Sequence, residues 1–190
     1  MINPQVFKTP VVLVTVSLGL WHFVSASWIY SKAYAATFLI NNAWQKTLVT
    51  NKINKPWSWA DTWPVAALSI PSIGLSEIVL SGDSGSSLAF GPGLSYAGAA
   101  LDNNGVKLIS GHRDTHFNKL KSININDAIF IKTPVSNKQY KVKDIGIVDS
   151  RMYLIDADNV NYDLVLSTCY PFNSISVGGT ERFIVGAIEL

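Results

Sequence analysis

The chain predicts an all-β body, a barrel or a sandwich with few helices, preceded by one long apolar helix. Three observations carry this. No charged side chain falls between Lys8 and Lys32. After Pro64 the sequence breaks into short Val-, Ile- and Leu-rich runs, separated by Gly, Pro, Asn, Asp and Ser. The length, 190 residues, suits one domain with a hydrophobic core plus a tail, and is too short for two full-sized domains.

The amino-terminal segment, residues 1–35, is dominated from Val11 to Tyr30 by Val, Leu, Ile, Ala and aromatic residues. Twenty residues at ~1.5 Å each span roughly 30 Å, the hydrocarbon thickness of a bilayer. The segment therefore reads as a transmembrane helix, the single-pass anchor of an inner-membrane protein. Trp28, Tyr30 and Tyr34 suit the headgroup layer at its far end. Lys8 precedes the run on the side that stays cytoplasmic, so the body faces the periplasmic or extracytoplasmic side. The competing reading is a cleaved signal peptide, with Ala33-Tyr34-Ala35 as the peptidase site.

Residues 36–63 form a connector in which Asn, Lys and Trp interrupt the apolar pattern. All six tryptophans fall at or before Trp63; Trp57, Trp59 and Trp63 either brace the end of the body or rest near the membrane surface. The body, residues 64–190, carries expected strands at Val65–Ile70, Glu77–Leu80, Val106–Gly111, Ala128–Lys132, Tyr140–Val148, Tyr162–Thr168 and Phe183–Ile188. Gly82 to Gly105 reads as loop, with a short helix near Leu88 or Ala97.

Charge and cysteine content remove several function classes. A net charge of +2, with no block of like charges, gives no nucleic-acid footprint. One cysteine forms no internal disulfide, and three scattered histidines do not complete a structural zinc site. No cofactor or metal is expected; Asp83, Asp102 and Asp114 read as solvated loop carboxylates rather than cation ligands, although calcium activation stays open.

Three residues carry candidate chemistry. Cys169 ends an apolar strand at Tyr170-Pro171, which cannot continue it; the thiol is a nucleophile at a strand mouth or a small buried hydrophobe. His112 follows Val106–Gly111 and begins the next loop, either as an acid/base group within reach of the thiol or as a loop histidine bonded to Asp114. His116 is the rival base, and His22 lies in the apolar segment. Arg182 opens the last strand after Val177-Gly178-Gly179-Thr180-Glu181. Its guanidinium either stabilises an oxyanion or pairs with Glu181 or Asp163.

Together, Gly111-His112-Arg113-Asp114, Leu166-Ser167-Thr168-Cys169 and Glu181-Arg182-Phe183-Ile184-Val185 resemble the three active-site signatures of sortases, in that family's order. Val165 replaces the first Thr of the T-L-x-T-C pattern. Val65–Pro71 resembles the first sortase strand, and Phe90-Gly91-Pro92-Gly93-Leu94 resembles a G-P-G-H loop with Leu94 in place of His. The resemblance runs from about Trp63 to Leu190, and its Trp-rich lead-in looks like the Gram-negative (proteobacterial) subgroup. It implies an eight-stranded β-barrel and a membrane-anchored cysteine transpeptidase. The expected substrates are proteins bearing an L-P-x-T-G-like (LPxTG-like) sorting signal, cleaved between Thr and Gly through a thioacyl intermediate on Cys169 and resolved by an amine acceptor. The resemblance gives His112 the acid/base role and Arg182 the oxyanion, with backbone support near Thr168. The S-H-G-C-like block of L,D-transpeptidases and the C-G-S-C-W segment of papain-like proteases are absent. A membrane-anchored β-barrel binding or scaffold module with a structural cysteine is the non-enzyme alternative.

Overall fold

The computed structural model describes residues 5–151, 161–174 and 179–190, and divides into two units, Met1–Phe38 and Leu39–Leu190. One helix, α1 (Gln5–Thr50), contributes to both. In the first unit its large apolar side chains from Val11 to Val24 are exposed. Among the described residues no helix is long and apolar enough to cross a membrane. The transmembrane span expected over Val11 to Tyr30 is therefore not supported among the described residues. The Thr15 hydroxyl donates back to the Val11 carbonyl at 2.9 Å.

The helix also continues beyond Ala36, where the composition alone suggests irregular chain. In the second unit Ile40, Ala43, Trp44 and Thr47 are buried, at the three- and four-residue spacing that places them on one helix face. A half-buried stripe rather than an all-round apolar surface is what changed the composition there. The chain leaves the helix at Asn51, whose φ of 55° is left-handed, and Thr47 lines a small cavity with Trp63, Pro64, Val65 and Pro134. Trp57 packs edge-on against Phe90 with ring centres 5.2 Å apart, while Trp59 is exposed.

The body is a closed eight-stranded barrel. Its strands are β1 (Pro64–Ile70), β2 (Leu75–Ser81), β3 (Gly93–Leu94), β4 (Lys107–Gly111), β5 (Ala128–Lys132), β6 (Asn137–Asp149), β7 (Leu164–Cys169) and β8 (Glu181–Glu189). A short helix, α2 (Gly85–Leu88), lies between β2 and β3. The spatial order is β1-β2-β3-β4-β7-β8-β6-β5. All seven expected strands are present; β3 is additional, a two-residue element formed where Gly93 and Leu94 reach β2 on one side and β4 on the other. The β4–β7 and β2–β3 pairs are parallel and the others antiparallel.

Strict alternation fills the barrel: Ala66, Leu68 and Ile70 of β1 are buried while the residues between them are partly exposed. Leu68, Ile109, Ile129, Ile131 and Leu166 belong to one core cluster, each contributing about 1.5–3 kcal/mol by leaving water. Tyr140 of β6 is wholly buried in the same cluster; among the described residues its hydroxyl makes no hydrogen bond of good geometry, although the Glu189 carboxylate lies close enough to act on it. Burial first, then the charges of Glu189 and Asp163, hold its pKa well above the ordinary tyrosine range.

Because the unfolded chain ionises this phenol near its ordinary pKa of ~10 and the folded chain does not, stability is intact below ~pH 10 and falls above it. Tyr140→Phe is therefore expected to stay within about 1 kcal/mol of the wild type at neutral pH, since it removes a buried hydroxyl that makes no hydrogen bond of good geometry among the described residues. It should also lose less stability under alkaline conditions. Urea unfolding at neutral and alkaline pH checks this; a clear loss at neutral pH would mean that the hydroxyl holds a bond.

Candidate active site

Parallel strands run in the same direction, so neighbouring β4 and β7 end at the same pole of the barrel. Their register pairs Lys107 with Leu164 and Gly111 with Thr168. The next residues, His112 and Cys169, therefore leave adjacent strand ends side by side. Strand β8 is antiparallel to β7 and starts where β7 finishes, so Arg182 pairs with Cys169. Residues far apart in sequence are thus gathered by three neighbouring strands.

The register is held by a buried bond: the Thr168 hydroxyl donates to the Gly111 carbonyl at 2.7 Å. Glycine at 111 is required by its surroundings, since a Cβ there would stand 2.8 Å from the ring of Phe117. That ring is fully buried, and the Phe117 amide donates to the His112 carbonyl at 3.0 Å, closing the turn that starts at His112.

A cavity of about 190 Å³ opens at this pole, lined by His112, Cys169 and Arg182 together with Asp83, Leu88 and the 110–111 and 167–168 strand ends. His112 is exposed, while Cys169 and Arg182 are half-buried and the thiol is free. The guanidinium of Arg182 donates through Nη1 to the carbonyls of Gly179 and Glu181, at 2.6 and 2.9 Å. Among the described residues it makes no ion pair with Glu181 or Asp163; Asp163 accepts instead from the Glu189 amide at 2.8 Å. Of the flexible stretch expected before Arg182, Val177 and Gly178 lie outside the described residues.

The rival readings of His112 separate on the same contacts. His116 is engaged by Glu77, Nδ1 to Oε2 at 2.9 Å, and does not line the cavity. Asp114 accepts from Arg113 Nε at 3.3 Å. Arg113, the residue after His112, is buried and spans the loop after the cysteine. Its Nη1 donates to the Pro171 carbonyl and its Nη2 to the Ser174 carbonyl, both at 2.9 Å.

Of the other loop carboxylates, Asp102 accepts from Thr133 and Ser136 at 3.2 and 2.6 Å. Asp83 alone of the three named above reaches the cavity. The sequence places all three near the mouth of the barrel, and it is the packing of Gly93 of β3 against the 82–83 turn that holds Asp83 there.

A thiol and an imidazole at adjacent strand ends, with a guanidinium on the next strand, have the composition needed for nucleophilic attack on a carbonyl, proton transfer and stabilisation of an oxyanion. A family model described as the sortase domain matches residues 68–189. The chain belongs to the sortase family. Sortase D of Bacillus subtilis (strain 168) is 28% identical over 119 residues, which span 62% of this chain and 60% of that relative. Among solved structures, a Clostridium perfringens Sortase D5 transpeptidase is similar with a TM-score of 0.63 and 19% identity, over 83% of this chain and 99% of that one. Sortase A from Corynebacterium diphtheriae is similar with a TM-score of 0.61 and 22% identity, over 93% and 95% of the two chains. At such identities the structural likeness speaks for the sortase fold, and the barrel expected from the sequence is the one observed.

Thr168→Val keeps the side-chain shape and removes the bond to Gly111, leaving a buried carbonyl without its donor. A loss of about 1–3 kcal/mol is expected in denaturant unfolding. Alkylation of Cys169 should change as well, because the strand end that carries it is loosened; a variant as stable as the wild type would show that the bond does not hold the register.

Proposed function

We propose that this sortase is a cysteine transpeptidase in which Cys169 is the nucleophile, His112 the acid/base group and Arg182 the stabiliser of the oxyanion. The observation that carries the reading is that all three line one cavity at the pole where β4, β7 and β8 meet. The Cys169 thiolate attacks the Thr–Gly bond of an LPxTG-like sorting signal, and His112 protonates the departing amine. An incoming amine then resolves the thioester and His112 accepts its proton. Arg182, already oriented by two backbone carbonyls, offers its remaining donors to the oxyanion, and backbone N–H groups near Thr168 add to them. Such a preformed donor needs little reorganisation during the reaction.

The reading extends to location. The charge-free run between Lys8 and Lys32 and the exposed apolar side chains from Val11 to Val24 support a tether to the membrane, with the barrel on its extracytoplasmic side. The substrates are then surface proteins carrying the sorting signal. A binding module with an inert structural cysteine is disfavoured by the partial exposure of Cys169 in the cavity.

Incubation with LPxTG-like peptides, followed by intact-mass spectrometry, tests the assignment. Wild-type protein should gain the mass of the acyl group, Cys169→Ala should gain nothing, and His112→Ala and Arg182→Ala should acylate about 100-fold more slowly or worse. An adduct that survives Cys169→Ala would refute the nucleophile, and a thiol inert to alkylation with no adduct would return the scaffold reading.

A further inference from the structure

We propose that Asp83 is the residue that recognises the amine acceptor, selecting a cationic ammonium group for the second half of the reaction; this rests on the transpeptidase reading above. Asp83 lines the cavity with His112, Cys169 and Arg182, and no other carboxylate does so among the described residues. It is half-buried, and among the described residues it has no hydrogen-bond or ion-pair partner. Most other carboxylates of the body are engaged: Glu77 by His116, Asp102 by Ser136, Asp114 by Arg113, Asp149 by Arg151 and Glu189 by Lys138. Arg182, the one arginine or lysine lining the cavity among the described residues, spends Nη1 on two backbone carbonyls. A carboxylate held at a cavity wall without a cation is suited to one that arrives with a ligand.

The loop holds Asp83 in place rather than leaving it to wander. Gly82 has a left-handed φ of 76°, and its amide donates to the Leu94 carbonyl at 2.9 Å. The backbone of β3 packs against this turn so closely that a Cβ on Gly93 would lie 2.9 Å from the Asp83 Cα and would collide with the Gly82 carbonyl. On its other side Ser84 caps α2, accepting from the Ser87 amide at 3.3 Å. Backbone contacts before and after the carboxylate therefore fix its position.

The chemistry supplies the partner. Acylation consumes a neutral peptide bond, whereas an amine acceptor with an ordinary amino pKa is mostly protonated at about pH 7. Asp83 concentrates that ammonium beside the thioester. The ammonium sheds one proton to water, and its nitrogen lone pair attacks the carbonyl carbon. The C–N bond forms, the C–S bond breaks with its electron pair leaving on Sγ, and the second nitrogen proton passes to the His112 imidazole. No oxidant or further reactant is needed.

The test compares two nucleophiles on the full chain loaded with an LPxTG-like peptide: triglycine, whose amine is cationic, and hydroxylamine, which is largely uncharged near neutral pH. In Asp83→Asn the KM for triglycine should rise about tenfold, the equivalent of ~1.4 kcal/mol, and more of the thioacyl enzyme should hydrolyse. Hydroxylamine should react as with the wild type, the salt dependence of triglycine use should flatten, and Asp83→Glu should restore part of the preference. Equal losses with both nucleophiles, slower acylation by peptide alone, or no change with triglycine would each overturn the assignment. Absence of any adduct in the wild type would instead overturn the transpeptidase reading on which it stands.

Discussion

The parallel pairing of β4 with β7 is the constraint on which the site depends. A parallel pair ends both strands at one pole, and the register of Gly111 against Thr168 puts the following histidine and cysteine at the same height. Side chains alternate between faces with a period of two, so a slip of one residue would exchange the inward and outward sets of a strand. Here such a slip would bury polar side chains and expel the core residues Leu164 and Leu166. The Thr168–Gly111 bond adds a specific lock to that general penalty, in a place where a carbonyl without a donor is costly. Arg182 then follows without a separate device, because β8 is antiparallel to β7 and begins beside Cys169.

The cavity is lined by the ends of β4, β7 and β8 and by flanking loop residues that are held through bonds to backbone carbonyls and close backbone packing. Arg113 bridges two carbonyls of the segment after Cys169, which links the loop bearing the histidine to the loop following the thiol. On the opposite wall, Gly91 and Gly93 permit close passage of the chain: a Cβ at Gly91 would stand 2.9 Å from the Ile78 carbonyl, and one at Gly93 would strike the 82–83 turn. The Gly-Pro-Gly stretch is thus a packing device that seats the turn bearing Asp83. Leu94, standing where the sortase pattern has a histidine, is a strand residue packed on the core and does not line the cavity.

Much of this was legible before folding. The alternation of β1, the apolar runs of β4, β7 and β8, and the stop after Cys169 all follow from local residue chemistry. Strand β3 was not, because two residues offer no period to read; it exists only where two neighbouring strands pass. The helical course of residues 36–50 was hidden for another reason: its buried face is a stripe of Ile40, Ala43, Trp44 and Thr47 among Asn, Gln and Lys. His116 looked equivalent to His112 until Glu77, on another strand, claimed it.

By itself the sequence determined the strands, the strand-end positions of Cys169 and His112, the family pattern that joins them to Arg182, and the absence of a disulfide framework. These are local or compositional properties, set by side-chain period, breakers and residue type. Only the tertiary structure decided which histidine shares a cavity with the thiol, what orients Arg182, what Arg113 clamps, and that Asp83 belongs with them. Each of those depends on strand register and closure of the barrel, which bring together groups whose separation along the chain contains no record of their distance in space.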